Sequence, residues 1–135
     1  HRHAIETMGL IADPALQIDA ITTEQSGHEA ASELLARGVA FDAVFAASDL
    51  IAIGAMKALL ERGLRVPEDV AVAGFDDIPL ASFMTPGLST VQQDTKRAGA
   101  LLVEALLALI HGEPVESQTI PVRLTLRGST GKPVA

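Results

Sequence analysis

Residues 70–83 read VAVAGFDDIPLASF, an apolar run that ends in two adjacent carboxylates, Asp76 and Asp77, and then a proline. Ionised carboxylates can serve as acid and base, hold a metal, or accept hydrogen bonds from a polar ligand. As an acid–base pair these two are badly placed, because neighbours on a strand point to opposite faces. A further carboxylate, Asp49, closes a second apolar run, DAVFAASD (42–49), with Ser48 beside it. The four histidines, His1, His3, His28 and His111, have no ligand spacing to one another or to a carboxylate pair, and cysteine is absent. No nucleophile elbow G-x-S-x-G, no phosphate loop G-x-x-x-x-G-K-[ST] and no dinucleotide fingerprint G-x-G-x-x-G is present. These absences argue against an enzyme, and no catalytic residue, metal site or cofactor is expected. An acidic pair that follows a late strand also fits a phosphoacceptor receiver domain poorly. What remains for Asp76 is ligand binding: an ionised aspartate accepts from two hydroxyls at once, which suits polyhydroxylated or amino ligands.

The elements that must position these groups alternate along the chain. ALQIDAI (15–21) has the period-2 pattern of a strand, and SGHEAASELLARG (26–38) reads as a helix with a Ser26/Glu29 capping box and a Gly38 stop. DAVFAAS (42–48) is a strand without polar interruption; DLIAIGAMKALLERG (49–63) is a helix capped by Ser48 or Asp49 and stopped by Gly63. DVAVAGF (69–75) and LSTVQQ (88–93) are further strands, a helix capped by Asp94 runs to about Gly112, and TIPVRLTLR (119–127) is extended. The motif of helix end, glycine, loop, Asp-led apolar strand and carboxylate occurs twice, in 34–49 and 59–77. Strands apolar on both faces, alternating with helices, predict an α/β fold with an open parallel sheet sandwiched by helices, of the doubly wound type. Ligands of such sheets bind beyond the carboxyl ends of the strands, where Asp49 and Asp76 or Asp77 sit. Asp49 also lies at a helix N-terminus, where the macrodipole favours a carboxylate, so plain capping and a ligand role are both open for it. Asp76 is followed by a turn-like stretch, so a ligand is the better account of it.

The 135 residues suffice for one domain with a real core. A net charge of −7 and a pI near 4.9, without a basic stripe, give this segment no means of neutralising DNA phosphates. No apolar run approaches a membrane span. Two helices carry more apolar surface than one core can use: 49–63, and 98–110, whose one charge is Glu104. This surplus predicts a second lobe over 98–110 and another protomer over 49–63. HRHAIETMGL begins in helical spacing with no capping residue before it, which predicts further chain upstream.

The marks S-D-x-x-A-x-G-A, R-V-P-x-D-V-x-V-x-G-F-D-D and T-P-x-L-S-T-V-x-Q-D, with R-G-S-T at 127–130, resemble the C-terminal part of the LacI/GalR family of bacterial transcription regulators. The resemblance covers essentially the whole chain, most strongly 42–94. It implies a fold like type I periplasmic binding proteins, of which this chain is the C-terminal lobe (1–93), completed by a crossover helix and terminal strands (94–135). It implies a cytoplasmic homodimer that binds a small polar effector, a sugar or related molecule, and controls operator DNA through an N-terminal domain outside this segment. Asp76 matches the family's ligand-contacting aspartate. Ser48 and Asp49 stand where ligand contacts are common, and Thr22 lies where many members place a stacking aromatic, a ring this chain does not offer there. Helix 49–63 and loop 78–86 match the family's dimer face, with Ile53, Met56, Phe83 and Met84 as candidates. The alternative is the sugar-binding protein of a periplasmic transporter, which shares the fold.

Overall fold

The structure is a computed structural model and describes residues 2–131. Its elements are α1 (Arg2–Thr7), a 3-10 turn at Pro14–Leu16, α2 (Glu24–Ala36), β1 (Ala43–Phe45), α3 (Asp49–Glu61), β2 (Ala71–Asp76), α4 (Pro79–Phe83), β3 (Ser89–Gln92), α5 (Thr95–Ile110), β4 (Arg123–Thr125) and a 3-10 turn at Gly128–Thr130. The sheet runs in the order β1-β2-β3-β4. Strands β1, β2 and β3 are parallel and β4 is antiparallel to β3.

Capping chemistry sets the helix ends. Ser48 Oγ accepts from Ile51 N to open α3, and Asp94 accepts from Arg97 N to open α5. Gly38, Gly63 and Gly112 take left-handed φ values of 68°, 76° and 75° just past α2, α3 and α5, where a side chain would be strained. Helix α2 starts two residues before the predicted capping box: its cap is Thr23, whose Oγ1 accepts from Ser26 N. Ser26 is thereby inside the helix, and its Oγ accepts from Ile21 N.

The core lies between α3 and the sheet. Ala52, Met56, Leu59, Val72, Ala81 and Leu88 are fully buried there. Each large side chain so buried contributes roughly 1.5–3 kcal/mol from apolar transfer. Helix α2 lies on α3 rather than on the opposite face of the sheet. The two helices approach closely because Gly27 faces the Ile51 backbone and Gly54 faces the backbone of Glu24 and His28. His28 and Glu61 close the seam at 2.7 Å, and that contact holds the Glu61 carboxyl below its ordinary value.

Four expectations are corrected by this architecture. The segment 15–21 does not pair as a strand: Asp13 caps the 3-10 turn through Ala15 N, Arg37 Nη1 takes the carbonyls of Ala15 and Gln17, and Ser26 takes Ile21 N. With those groups engaged, the segment lies beside β1 across an apolar cleft of about 370 Å³. The sheet is mixed rather than parallel: after the exposed helix α5, β4 pairs antiparallel with β3. The sheet is also not covered on both sides, since alternate β2 residues Ala71, Ala73 and Phe75 stay half-exposed while Val72 and Gly74 are buried. The stretch after Asp77, expected as a turn, contains the short α4, entered through Ile78 without a side-chain cap.

The loop before β2 is tied by Arg65, which donates to Asp69 from its backbone N, Nε and Nη2. The side-chain hydrogen bonds, then the backbone one, hold the Asp69 carboxyl down at about 2. Because the folded value is depressed, this contact is complete above the ordinary aspartate range and is lost only as pH falls through about 2. A carbon-detected NMR titration should find Asp69 still ionised at pH 3; a midpoint in the ordinary aspartate range would show that the pair does not form.

Candidate functional site

The register places two of the predicted groups side by side. Phe45 pairs with Ala73 across β1 and β2, and three residues further along each segment come Ser48, just past β1, and Asp76, the last residue of β2. Both therefore leave the same carboxyl edge of the sheet, the usual ligand edge of such a fold. Thr22, also at the edge of the chain's first turn into α2, is exposed.

The backbone at the β2 tip is unusual. Asp76 has φ 118° and Asp77 φ 58°, both in a region that side chains rarely adopt and that aspartate tolerates better than most. Conformations of this kind cost on the order of 1–3 kcal/mol and persist where surrounding contacts over-determine them. Those contacts are all present. Asp76 Oδ1 accepts from Gln93 Nε2 at 2.7 Å. Asp77 accepts from Arg127 Nη2 at 2.6 Å and from Gln92 Nε2 at 2.9 Å, and its own N–H donates to Thr90 Oγ1 at 3.3 Å. Gln92 is itself held by Arg123 at 2.8 Å. Next along the chain, Ile78 N donates to Asp49 Oδ2 at 2.8 Å.

Asp49 differs from its expected role. It is fully buried, and its second oxygen accepts from the Thr90 hydroxyl at 2.5 Å. Both carboxylate oxygens thus serve protein donors on β3 and on the chain leaving β2. Gly74 of β2 makes room for it: a β-carbon there would lie 2.3 Å from Asp49 Oδ1. The cap of α3 is Ser48, so the serine that stands at the sheet edge is also fixed in place by its hydrogen bond to Ile51 N at 3.3 Å.

Sequence reasoning missed Thr90, Gln92, Gln93 and Arg127 as parts of the site. Three lie in the motif run L-S-T-V-Q-Q-D and the fourth in R-G-S-T, so the signal was present as motif and absent as chemistry. The R-G-S-T turn fastens the sheet: Ser129 Oγ donates to Val72 O at 2.6 Å and accepts from Ser89 N at 2.8 Å. A polar hollow of about 450 Å³ opens nearby between Gln92, Gln93, Thr95, Lys96 and Arg123. The apolar cleft beside β1 includes none of Thr22, Ser48 or Asp76 in its lining. Among the described residues no group of three or more histidines and carboxylates could hold a metal.

Of the residues expected on a dimer face, Phe83 is strongly exposed, Met84 and Ile53 are half-buried, and Ile53 packs partly on the core. Met56 does not fit that expectation. It is fully buried against the sheet and has no surface to offer a second copy, because its position on α3 turns it inward between Ala52 and Leu59.

An open, mostly parallel sheet that gathers polar and acidic groups at its carboxyl edge is the architecture of a ligand-binding lobe, and residues 2–130 match the family described as Periplasmic binding protein-like domain. The chain is 39% identical over 112 residues to the lactose operon repressor of Rhizobium radiobacter, covering 82% of this chain and 99% of that one. It is 41% identical over 126 residues to the HTH-type transcriptional regulator CelR of Thermobifida fusca, covering 93% of this chain but 36% of the relative. The chain belongs to the LacI family of transcriptional regulators, within the periplasmic-binding-protein-like part. Among solved structures, a CelR–cellobiose complex superposes with a TM-score of 0.89 at 38% identity, over 95% of this chain and 40% of that one. A Lac repressor dimer bound to operator and the anti-inducer ONPF gives a TM-score of 0.76 at 37% identity, over 82% of this chain and 34% of that one. These relatives are regulators and repressors, which favours regulation over enzymatic or transport readings of the fold. Among the described residues no helix is long and apolar enough to cross a membrane.

Proposed function

We propose that the chain is the effector-binding C-terminal lobe of a sugar-responsive regulator, with Asp76 as its principal ligand group. The observation that carries this reading is the β2 tip, where a non-glycine residue at φ 118° sits level with Ser48 on the ligand edge of the sheet. Asp76 accepts hydroxyls of a sugar or related polar effector, Ser48 and Thr22 flank it, and Asp49 acts from behind by holding the chain at Ile78. The relatives named for lactose and cellobiose support the sugar class.

In the whole protein, residues 1–93 form this lobe and 94–135 form the crossover that completes the module. Helix α5 exposes Leu102, Leu106, Leu109 and Ile110, a surface suited to a second lobe. Ligand held between lobes favours the closed state over the open one, and that difference in affinity is the free energy that reaches the DNA-binding part. DNA recognition belongs to sequence outside this acidic segment, and the protein works as a homodimer in the cytoplasm, with Ile53, Phe83 and Met84 on the contact face. No cofactor is required.

Asp76→Asn in the full-length protein should weaken cellobiose or lactose binding at least about tenfold, the loss expected when a charged hydrogen-bond acceptor becomes neutral. Isothermal titration calorimetry reads this directly, and an unchanged Kd would remove Asp76 from the ligand site.

A further inference from the structure

Asp77 turns its carboxylate to Arg127 and Gln92 and its N–H to Thr90, which makes it the most heavily tied residue of the strand tip. Its left-handed backbone, φ 58°, directly follows Asp76 at φ 118°, so anchoring Asp77 fixes the far end of the peptide unit that Asp76 begins and holds the two disfavoured residues as one tip. Arg127 reaches it across 50 residues of sequence, with Nη2 on Asp77 Oδ1 at 2.6 Å and Nη1 on Leu88 O at 2.7 Å. The pair is largely shielded, with side-chain exposures of 22% and 10%. Arg127 is itself fixed at its backbone, where its N–H donates to Ser89 Oγ at 2.7 Å. The guanidinium therefore spans the start of β3 and the turn beyond β2, two points whose separation determines where the tip lies. Charge-assisted contacts to an arginine fork are directional as well as strong, which is what holding a disfavoured backbone angle needs.

We infer that Arg127 is a positioning residue for effector binding: by clamping Asp77 in the left-handed conformation, it aims the Asp76 carboxylate into the ligand site without touching the ligand. This inference rests on the reading of Asp76 as the ligand group. It makes the affinity of the lobe depend on a residue of the C-terminal R-G-S-T turn rather than on the ligand edge alone.

The test uses the full-length protein, with cellobiose and lactose as probes in calorimetry and hydrogen exchange as a ligand-free readout of the tip. Arg127→Met and Asp77→Ala should each weaken binding about tenfold and speed exchange of the Asp77 and Ile78 amides about tenfold, with exchange in α2 and α3 unchanged. Asp77→Asn tolerates left-handed backbone and keeps one acceptor for Arg127 but loses the charge and the acceptor for Gln92, so it should weaken binding less than Asp77→Ala does. The double variant Arg127→Met with Asp77→Ala should be no weaker than the worse single one, because both remove the same contact. Arg127→Met that binds like the parent while Asp76→Asn does not would overturn the positioning role and leave the ligand assignment standing. Asp76→Asn that binds like the parent would overturn the ligand assignment, and this inference with it. Exchange accelerated throughout the lobe in both Arg127→Met and Asp77→Ala would show a general structural role and also overturn it.

Discussion

Asp49→Ala lowers the unfolding free energy by about 3 kcal/mol in urea titration, with little change in the slope. The carboxylate is fully buried and is the acceptor for two donors, Ile78 N and Thr90 Oγ1. Removing it strands both, and each buried donor without a partner costs roughly 1–3 kcal/mol. Part of that is offset, because the variant no longer buries a charge. The first turn of α3 also loses a favourable anion, a smaller effect of roughly 0.3–1 kcal/mol. Asp49→Asn separates these contributions. Its amide oxygen can still take Ile78 N, and the Thr90 hydroxyl can rotate to accept from the new NH2 group, so the loss should fall to about 1 kcal/mol. Alanine and asparagine variants of equal stability, both within about 0.5 kcal/mol of the parent, would mean that the two donors find other partners.

The second large effect is at the crossing of α2 and α3. In Gly54→Ala the new β-carbon would lie 1.9 Å from Glu24 O and 2.7 Å from His28 N, both backbone atoms. No rotamer change relieves such a clash, and the helices must move apart along a seam where a β-carbon on Gly27 would likewise lie 2.2 Å from Ile51 O. Overpacking of this kind costs typically 1–3 kcal/mol or more, against a gain of about 1 kcal/mol from replacing glycine by alanine in a helix. Because both clashes are with backbone, the upper end of that cost applies, and the net expectation is a loss of about 2 kcal/mol. Gly99→Ala in α5 has the opposite sign: nothing lies within 4 Å of its β-carbon, so only the helix-propensity gain remains. Thermal melts of the two variants should move in opposite directions; movement in the same direction would refute the close α2–α3 approach.

The glycines that end helices were legible from the chain because their signals are local. Gly38, Gly63 and Gly112 each stand where a left-handed residue closes a helix, and Asp94 caps α5 within three residues of its partner. Strand positions β1 to β3 and the location of Asp76 at a strand tip were equally legible, since an unbroken apolar run bounded by a carboxylate needs no distant partner to be recognised. The order of the site was not. Asp49 and Asp76 look alike as carboxylates after apolar runs, yet one is fully buried and the other is half-exposed. What separates them is Thr90, 41 residues from Asp49, and the missing side chain of Gly74.

The same limit explains the other departures. The alternation in 15–21 is a good strand pattern, but a strand needs its backbone groups available, and Arg37, Ser26 and the Asp13 turn engage several of them. Met56 has the apolar character of an interface residue, and only the rotation of α3 on the sheet decides that it faces the core. By itself the sequence determined the alternation of helices and strands, the caps and stops, and the family, because these depend on neighbours a few positions away. The tertiary structure decided which carboxylate turns inward, which strand enters reversed and which arginine holds the tip. Those outcomes depend on hydrogen-bond partners that are brought together only by folding.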